Sequence, residues 1–328
     1  MIELSVLHRA LSCRIGRVEK SIDNICAQSN GFSKKLYLQQ ARFKGKRLRP
    51  ILLFLSAQAT GNIKPIHEEL AVIIELIHNA TLIHDDVLDE ACIRRNLPTI
   101  NNKWGNEIAV IFGDLMLSHA FNICAGINNP EVTATISGMT NRICRGELAH
   151  MGKKYDLSIT EKEYLSIIGD KTASLFSTAC YLGALFSSSD KKSHSLMKEF
   201  GLNFGLAYQI IDDCLDWISC EKLTGKTGGT DIAKGRITMP LIRLYKALPK
   251  NGKKGMEALI SRNRQNNNTY KKVKSLLEKN KILPEVLGSA SAYLEKASCS
   301  LEGLADTPGK QLLVEITESI LAKYNHTR

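Results

Sequence analysis

Two stretches of the chain carry the same arrangement of carboxylates. Asp85, Asp86 and Asp89 end the long apolar run "ELAVIIELIHNATLIHDDVLDE", and Asp212, Asp213 and Asp216 end "FGLNFGLAYQIIDDCLDW". On a helix the first and third aspartates of each set lie one turn apart on one face, with the second about 100° round. Carboxylates at the end of an apolar helix are costly unless a cation neutralises them. If the two helices face one another, six carboxylates line opposite walls of one cavity mouth. An all-oxygen donor set suits a hard divalent ion. Mg²⁺ takes one or two carboxylates and leaves its other sites to water and phosphate oxygens. A single copy of the pattern reads equally well as a solvated helix end; two matched copies favour metal ligation.

Basic residues recur beside these carboxylates. "KGKRLRP" supplies Lys46, Arg47 and Arg49, "RRN" supplies Arg94 and Arg95, "DKTAS" supplies Lys171, and "GKTGGTDIAKG" supplies Lys226 and Lys234. Taken singly, each is more often a surface charge than a ligand. Together the types matter: arginine forks match phosphate oxygens two at a time, while lysines act as point charges. Metal-binding carboxylates among such cations point to substrates that carry diphosphates, one bridged by metal ions and another bound directly by side chains. His78 lies two helical turns before Asp85 on the same face, where a phosphate-binding histidine or a core histidine with a local partner would both fit.

The elements that must position these residues read as helices. Apolar residues recur at three- and four-residue spacing in most windows, and nothing alternates with period two for long enough to build a sheet. Pro50 sits at a plausible first-turn position of "PILLFLSAQAT". The segments "NEIAVIFGDLMLSHAFNICAG", "SGMTNRICRGELAHMG", "EKEYLSIIGDKTASLFSTACYLGALF" and "LMKEFGLNFGLAYQIIDDCLDWI" follow as helices. Residues 225–240 and the polar 262–272 read as irregular. No linker divides the 328 residues, so the expectation is one all-α domain, a bundle over 1–328. Nine cysteines without CxxC or zinc-like spacing suggest free thiols in a reducing cytoplasm, with Cys124, Cys144 and Cys180 as core fillers. No window offers the ~18 uninterrupted apolar residues of a membrane span. Membrane contact is therefore expected to be peripheral at most. The net charge of +11 suits anionic partners. A nucleic-acid module would leave both aspartate clusters unexplained.

The chain resembles the trans-isoprenyl diphosphate synthases. The matching pieces, "GKRLRP", "ELIHNATLIHDDVLDE", "RRNLPT", "FGDLMLSHA", "GE", "DKTAS", "GLAYQIIDDCLDW" and "GKTGGTDIAKGRITMPLI", appear in family order from about residue 40 to 245. The resemblance implies the isoprenoid synthase fold, antiparallel helices around a deep central cavity, in a homodimer. It also implies three Mg²⁺, with Mn²⁺ able to substitute, held by Asp85, Asp86, Asp89, Asp212, Asp213 and Asp216. By the same carry-over Lys46, Arg49, His78 and Arg95 hold isopentenyl diphosphate. Arg94, Lys171 and Lys226 hold the allylic diphosphate, and Gln209 lies beside the second motif. The implied reaction is ionisation of the allylic diphosphate, attack by the double bond of isopentenyl diphosphate, and proton loss. Lys44, Asn96, Tyr208 and His150 depart from the usual pattern without removing a metal ligand or a phosphate-binding cation. A terpene cyclase would normally replace the second aspartate motif, and a non-catalytic subunit would have eroded ligands.

Product length should follow from what lies below Asp85. Thr81 and Ala80 are small where enzymes stopping at farnesyl commonly carry aromatics. Ile77 and Ile74 fall about 12 and 16 Å below Asp85, the depth of two to three isoprene units; these, with Met116 and Phe121, are either the candidate floor or simply core packing. The expectation is a long-chain product of about C30 to C50. A geranylgeranyl product, or service as the catalytic subunit of a heteromeric synthase, is the alternative.

Overall fold

The computed structural model describes residues 11–29, 31–43, 45–218, 229–262 and 267–325. Helices α1 (Ser12–Gln28) and α2 (Gly31–Ala41) precede α3 (Leu48–Thr60) and α4 (Ile66–Leu88). A short antiparallel hairpin follows, β1 (Ile93–Arg94) and β2 (Leu97–Pro98), pairing Ile93 with Pro98 and Arg94 with Leu97. Its two linking residues, Arg95 (φ 50°) and Asn96 (φ 62°), are both left-handed, as the tight hairpin turn that matches strand twist requires. Then come α5 (Ile100–Trp104), α6 (Asn106–Gly126), α7 (Pro130–Gly152) and α8 (Glu161–Ile168). α7 starts with Pro130 behind the Asn129 cap. α8 starts with a capping box in which Thr160 and Glu163 satisfy each other's backbone N–H.

α8 runs through one π turn, Gly169–Ala173, into α9 (Ser174–Leu185), and α10 (Lys191–Ile218) returns antiparallel to it. The remaining elements are α11 (Thr230–Ala233), α12 (Met239–Ala247), α13 (Lys250–Arg262), α14 (Asn267–Lys279), α15 (Ile282–Glu302) and α16 (Pro308–Asn325). α4 packs on α3 and α6, α9 on α3 and α10, and α10 on α15. The buried apolar side chains of these helices form one continuous cluster.

Why the π turn sits where it does is visible in its neighbours. A Cβ on Gly146 of α7 would lie 2.6 Å from the backbone nitrogen of Lys171, and one on Gly205 of α10 would lie 2.6 Å from Cα of Ala173. Two glycines therefore let α7 and α10 close on both sides of the widened turn that carries Lys171.

Several expectations need correction. α14 begins inside the polar stretch read as a connection, because Val273 and Leu277 bury one face of it. Cys144 is exposed rather than core-filling, whereas Cys124 and Cys180 are buried; the eight described cysteines are all free. α6 is, by length and composition, apolar enough to cross a membrane, with a mean hydropathy of 1.6, and only a third of it is buried. Its outer face exposes Ile111 and Phe121, whereas the exposed Val110 of α6 and Leu148 and Met151 of α7 lie on the wall of the central cavity.

Candidate active site

A cavity of about 1160 Å³ opens between the C-terminal ends of α4 and α10, with α7, α8 and the π turn as its other walls. Asp85, Asp89, Asp212, Asp213 and Asp216 line it. Their carboxylates differ in what they already hold. Asp85 lies 3.5 Å from Nζ of Lys171, which is also paired with Glu147 of α7. Burial pushes the Asp85 carboxyl above its usual range despite Lys171. Asp89 is paired with Arg236 and, at 3.3 Å, with Lys234. Burial works to raise it, but these two cations outweigh burial and hold it below the ordinary value. Asp216 accepts from Thr230 Oγ1 (2.8 Å) and from the backbone N–H of Thr230 and Asp231, so it seats the first turn of α11.

The middle aspartates turn away. Asp86 is buried and accepts from Nε of Arg94 at 2.9 and 3.0 Å; it is not part of the cavity wall. Burial raises it, with Arg94 pulling the other way. Asp213 touches the cavity but accepts from Tyr164 Oη (2.6 Å) on one oxygen and from Gln209 Nε2 (2.8 Å) on the other. Burial raises this carboxyl too. Gln209 in turn accepts from Thr172 in the π turn (2.9 Å), linking Lys171 to the second aspartate motif.

On the opposite side of the mouth Arg49 has no carboxylate partner among the described residues. Arg49 is buried, its guanidinium carbon 4.3 Å above the centre of the Phe176 ring, and among the described residues no acceptor reaches its Nε. Its Nη1 lies 3.0 Å from Nε2 of His78. Arginine only donates, so His78 Nε2 accepts and the histidine carries its proton on Nδ1. Burial, with Arg49 beside it, keeps His78 neutral well below its usual pKa. Arg95 donates to the carbonyl of Phe43 (2.8 Å), fixing the hairpin against the loop that carries Lys46. Lys46, Arg49, His78, Arg94 and Tyr208 all line the cavity. Lys226 and Lys44 lie outside the described residues.

Four groups at the site escaped the sequence reading: Glu147, Tyr164, Asp231 and Arg236, all on the cavity wall. Asp231 is held well above the usual carboxylate range by burial and by Asp216 beside it. An aspartate inside "GTDIAKGR", flanked by cations in a glycine-rich stretch, was the available signal. Arg47, set aside as one basic residue among several, forms a buried ion pair with Glu75 and a second with Glu19 (3.1 Å).

The expected floor is also corrected. Of its candidates only Thr81 lines the cavity. Ile74, Ile77, Ala80 and Met116 are fully buried in the core, and Phe121 faces outward. Below Thr81 the next α4 residue that lines the cavity is His78, which is engaged with Arg49. The cavity's apolar wall is Leu117 of α6 with Thr140, Ile143 and Cys144 of α7 and Leu175 of α9.

Among the described residues no three carboxylate, histidine or cysteine groups converge tightly enough to hold an ion unaided. That arrangement fits Mg²⁺, which needs only one or two protein carboxylates when phosphate oxygens complete its shell.

Comparison with known proteins agrees with this geometry. The family described as Polyprenyl synthetase matches residues 33–278. Heptaprenyl diphosphate synthase component 2 of Bacillus subtilis is 36% identical over 289 residues, covering 87% of this chain and 80% of the relative. Geranylgeranyl diphosphate synthase of Methanosarcina mazei is 33% identical over 285 residues, covering 85% and 86%. A polyprenyl synthase from Caulobacter crescentus, solved with calcium and isoprenyl diphosphate, superposes with a TM-score of 0.89 at 28% identity, covering 96% of each chain. With both aspartate motifs facing one cavity in this all-α, isoprenoid-synthase fold, the chain belongs to the polyprenyl synthetase family.

Proposed function

We propose that the chain joins isopentenyl diphosphate head to tail to an allylic diphosphate, releasing pyrophosphate and giving an all-trans polyprenyl diphosphate of long chain. The observation that carries the reading is one cavity that sets a first aspartate motif with internal counter-ions across from a buried Arg49 that has no carboxylate partner among the described residues. Asp85, Asp89 and Asp212 are the residues placed to hold Mg²⁺, three ions in all and replaceable by Mn²⁺. Once bound, these ions supply charge neutralisation to the departing pyrophosphate. Lys171, Arg94 and Lys226 bind and orient the allylic diphosphate, with Lys234 and Arg236 freed from Asp89 to join them. Asp86 serves this side through Arg94, and Asp213 serves it by fixing Gln209 and Tyr164. Lys46, Arg49 and Arg95 bind the second diphosphate, and His78 orients the Arg49 guanidinium toward it. Lys171, Arg94 and Lys226 stabilise the charge that grows on the allylic diphosphate as its carbon–oxygen bond breaks. The apolar wall excludes water from the cation so formed. The double bond of isopentenyl diphosphate attacks it, and the proton then lost passes to pyrophosphate.

The exposed Ile111 and Phe121 of α6 suit contact with a second copy of the chain, and a homodimer follows as part of this reading. The component name of the Bacillus relative favours one alternative, a catalytic subunit working with a different partner on that face.

The test is a product assay of the purified chain alone with Mg²⁺, isopentenyl diphosphate and farnesyl diphosphate, products resolved by length. A ladder ending at C30 or beyond is expected, the depth left open by small Thr81. A stop at C20 would reassign the chain as a geranylgeranyl synthase, and no elongation from folded protein would indicate a required partner. Thr81→Phe should shorten the ladder. An unchanged distribution would remove this wall as the ruler.

A further inference from the structure

Charge is distributed very unevenly along the chain. Between residues 246 and 281 the sequence carries nine lysines and two arginines against two glutamates, so about one ninth of the chain holds most of its net charge of +11. The lysines sit on and around α13 and α14. Each helix buries an apolar face, Met256 and Ile260 on one and Val273 and Leu277 on the other. Lys250, Lys254, Lys271, Lys272 and Lys279 are exposed on the outside. Among the described residues none of the nine lysines is paired with a carboxylate. The proposed reaction uses none of them.

The position of α14 gives this surface a direction. Tyr270 of α14 stacks on Trp217 (ring centroids 5.4 Å apart, planes at 19°), the residue directly after Asp216. It also fills the space beside Gly229, where a Cβ would meet the Tyr270 ring at 2.5 Å. The basic helices are thus locked to the rim of the second aspartate motif, at the cavity mouth.

We propose that the outer face of α13 and α14 docks the cavity mouth on the anionic headgroups of a lipid bilayer. Lysine clusters on amphipathic helices bind such surfaces through the summed field of many lipids and need no shaped pocket. Among the described residues the face offers no exposed aromatic ring for bases to stack on, since the half-buried Tyr270 stacks on Trp217 and the half-buried Tyr245 ring lies under Lys253 (5.2 Å), which disfavours single-stranded nucleic acid. The choice of lipid rests on the proposed activity, because a product with a long prenyl tail leaves far more readily into an apolar phase than into water.

The test uses the full chain without metal or substrate, so its outcome is independent of catalysis. It measures co-sedimentation with vesicles of phosphatidylcholine alone, and with vesicles in which phosphatidylglycerol replaces part of it. Binding to the anionic vesicles only is expected, weakened by added salt and reduced at least ~tenfold by Lys254→Glu, Lys271→Glu and Lys272→Glu together. Replacing the same three by arginine should keep it. If the glutamate variant loses its helical circular dichroism, the three glutamine substitutions carry the same expectation. Equal sedimentation of wild type and variant, binding to neutral vesicles as strong as to anionic ones, or retention by single-stranded DNA with no vesicle binding would each overturn the proposal. Turnover on farnesyl diphosphate in detergent should be the same in wild type and variant; its absence in both would count against the proposed activity and not against the docking surface.

Discussion

The two sides of the cavity mouth meet negative charge in opposite ways. On the aspartate side, Asp85, Asp86 and Asp89 each have an internal cation: Lys171, Arg94, and the pair Lys234 and Arg236. On the arginine side, Arg49 is buried over Phe176 with a neutral histidine as its hydrogen-bond partner and an unsatisfied Nε. A metal arriving alone at the first side must displace cations that then have nowhere to go. A metal arriving with a diphosphate releases those cations onto the phosphate oxygens, so the two ligands favour each other's binding. At the second side a diphosphate satisfies donors that the free protein leaves unmet, and no metal is needed. On the proposed assignment, one cavity distinguishes two ligands with the same headgroup by whether the cation facing each, Lys171 or Arg49, is already engaged by a carboxylate.

The largest effect tests the first side. Asp85→Ala should lower kcat by about 10³-fold or more with circular dichroism unchanged, since it removes a group expected to carry transition-state charge stabilisation. Asp212→Ala should behave alike. A steady-state turnover near wild type in either variant would break the metal assignment and, with it, the contrast between the sides.

Arg49→Met tests the second side. Its loss should raise KM for isopentenyl diphosphate about 100-fold, roughly 2.7 kcal/mol of charge-assisted hydrogen bonding, and leave KM for the allylic substrate unchanged. Because a buried donor without a partner costs about 1–3 kcal/mol, the variant should melt no lower than wild type in the absence of ligand. Equal rises in both KM values would show that the two sides are not separate.

A smaller effect follows from the exchange argument and needs no mutation. Isopentenyl diphosphate at about 100 times its Kd should stabilise the protein by roughly 2.7 kcal/mol without any metal. Mg²⁺ alone should change Tm little, and an unreactive allylic diphosphate analogue should raise Tm strongly only when Mg²⁺ is present. Thermal scans of the four combinations decide this. A large shift with Mg²⁺ alone would mean that the aspartates form a finished metal site without the diphosphate.

How much of this was legible in the sequence depended on whether partners were near in the chain. The aspartate motifs and the helices ending in them follow from spacing within a dozen residues, and α6 has the bounds that its apolar segment suggests. Helical spacing sets Asp86 and Asp213 about 100° from their neighbours, but spacing alone does not say what they grip there. Their orientation depends on Arg94, held by a hairpin with two left-handed residues other than glycine, and on Tyr164, 49 positions away. Ile74 and Ile77 failed as a floor for a related reason. Helical spacing orders residues along α4, but which neighbour each meets is set by α6, α7 and α9. Arg47 looked like one more cation of "KGKRLRP" because its carboxylate, Glu75, is one of the few acids inside an apolar helix, where the reading looked only for hydrophobic contacts.

The finest distinction lies within the aspartate side. Asp85 faces the cavity, whereas Asp86, the next residue, is turned about 100° away and grips Arg94 with both oxygens. Asp86→Asn keeps the size and one acceptor oxygen, so Arg94 retains part of its support and no cavity carboxylate is lost. Turnover should fall about tenfold or less, corresponding to roughly 1.4 kcal/mol through misplacement of Arg94, and the concentration of Mg²⁺ giving half-maximal rate should not move. KM for the allylic diphosphate should rise, since that is the diphosphate assigned to Arg94. A Mg²⁺ titration of Asp86→Asn beside Asp85→Asn reads the difference directly. If both variants shift the metal requirement equally, Asp86 rotates into the cavity when ligands bind, and its grip on Arg94 belongs only to the free protein.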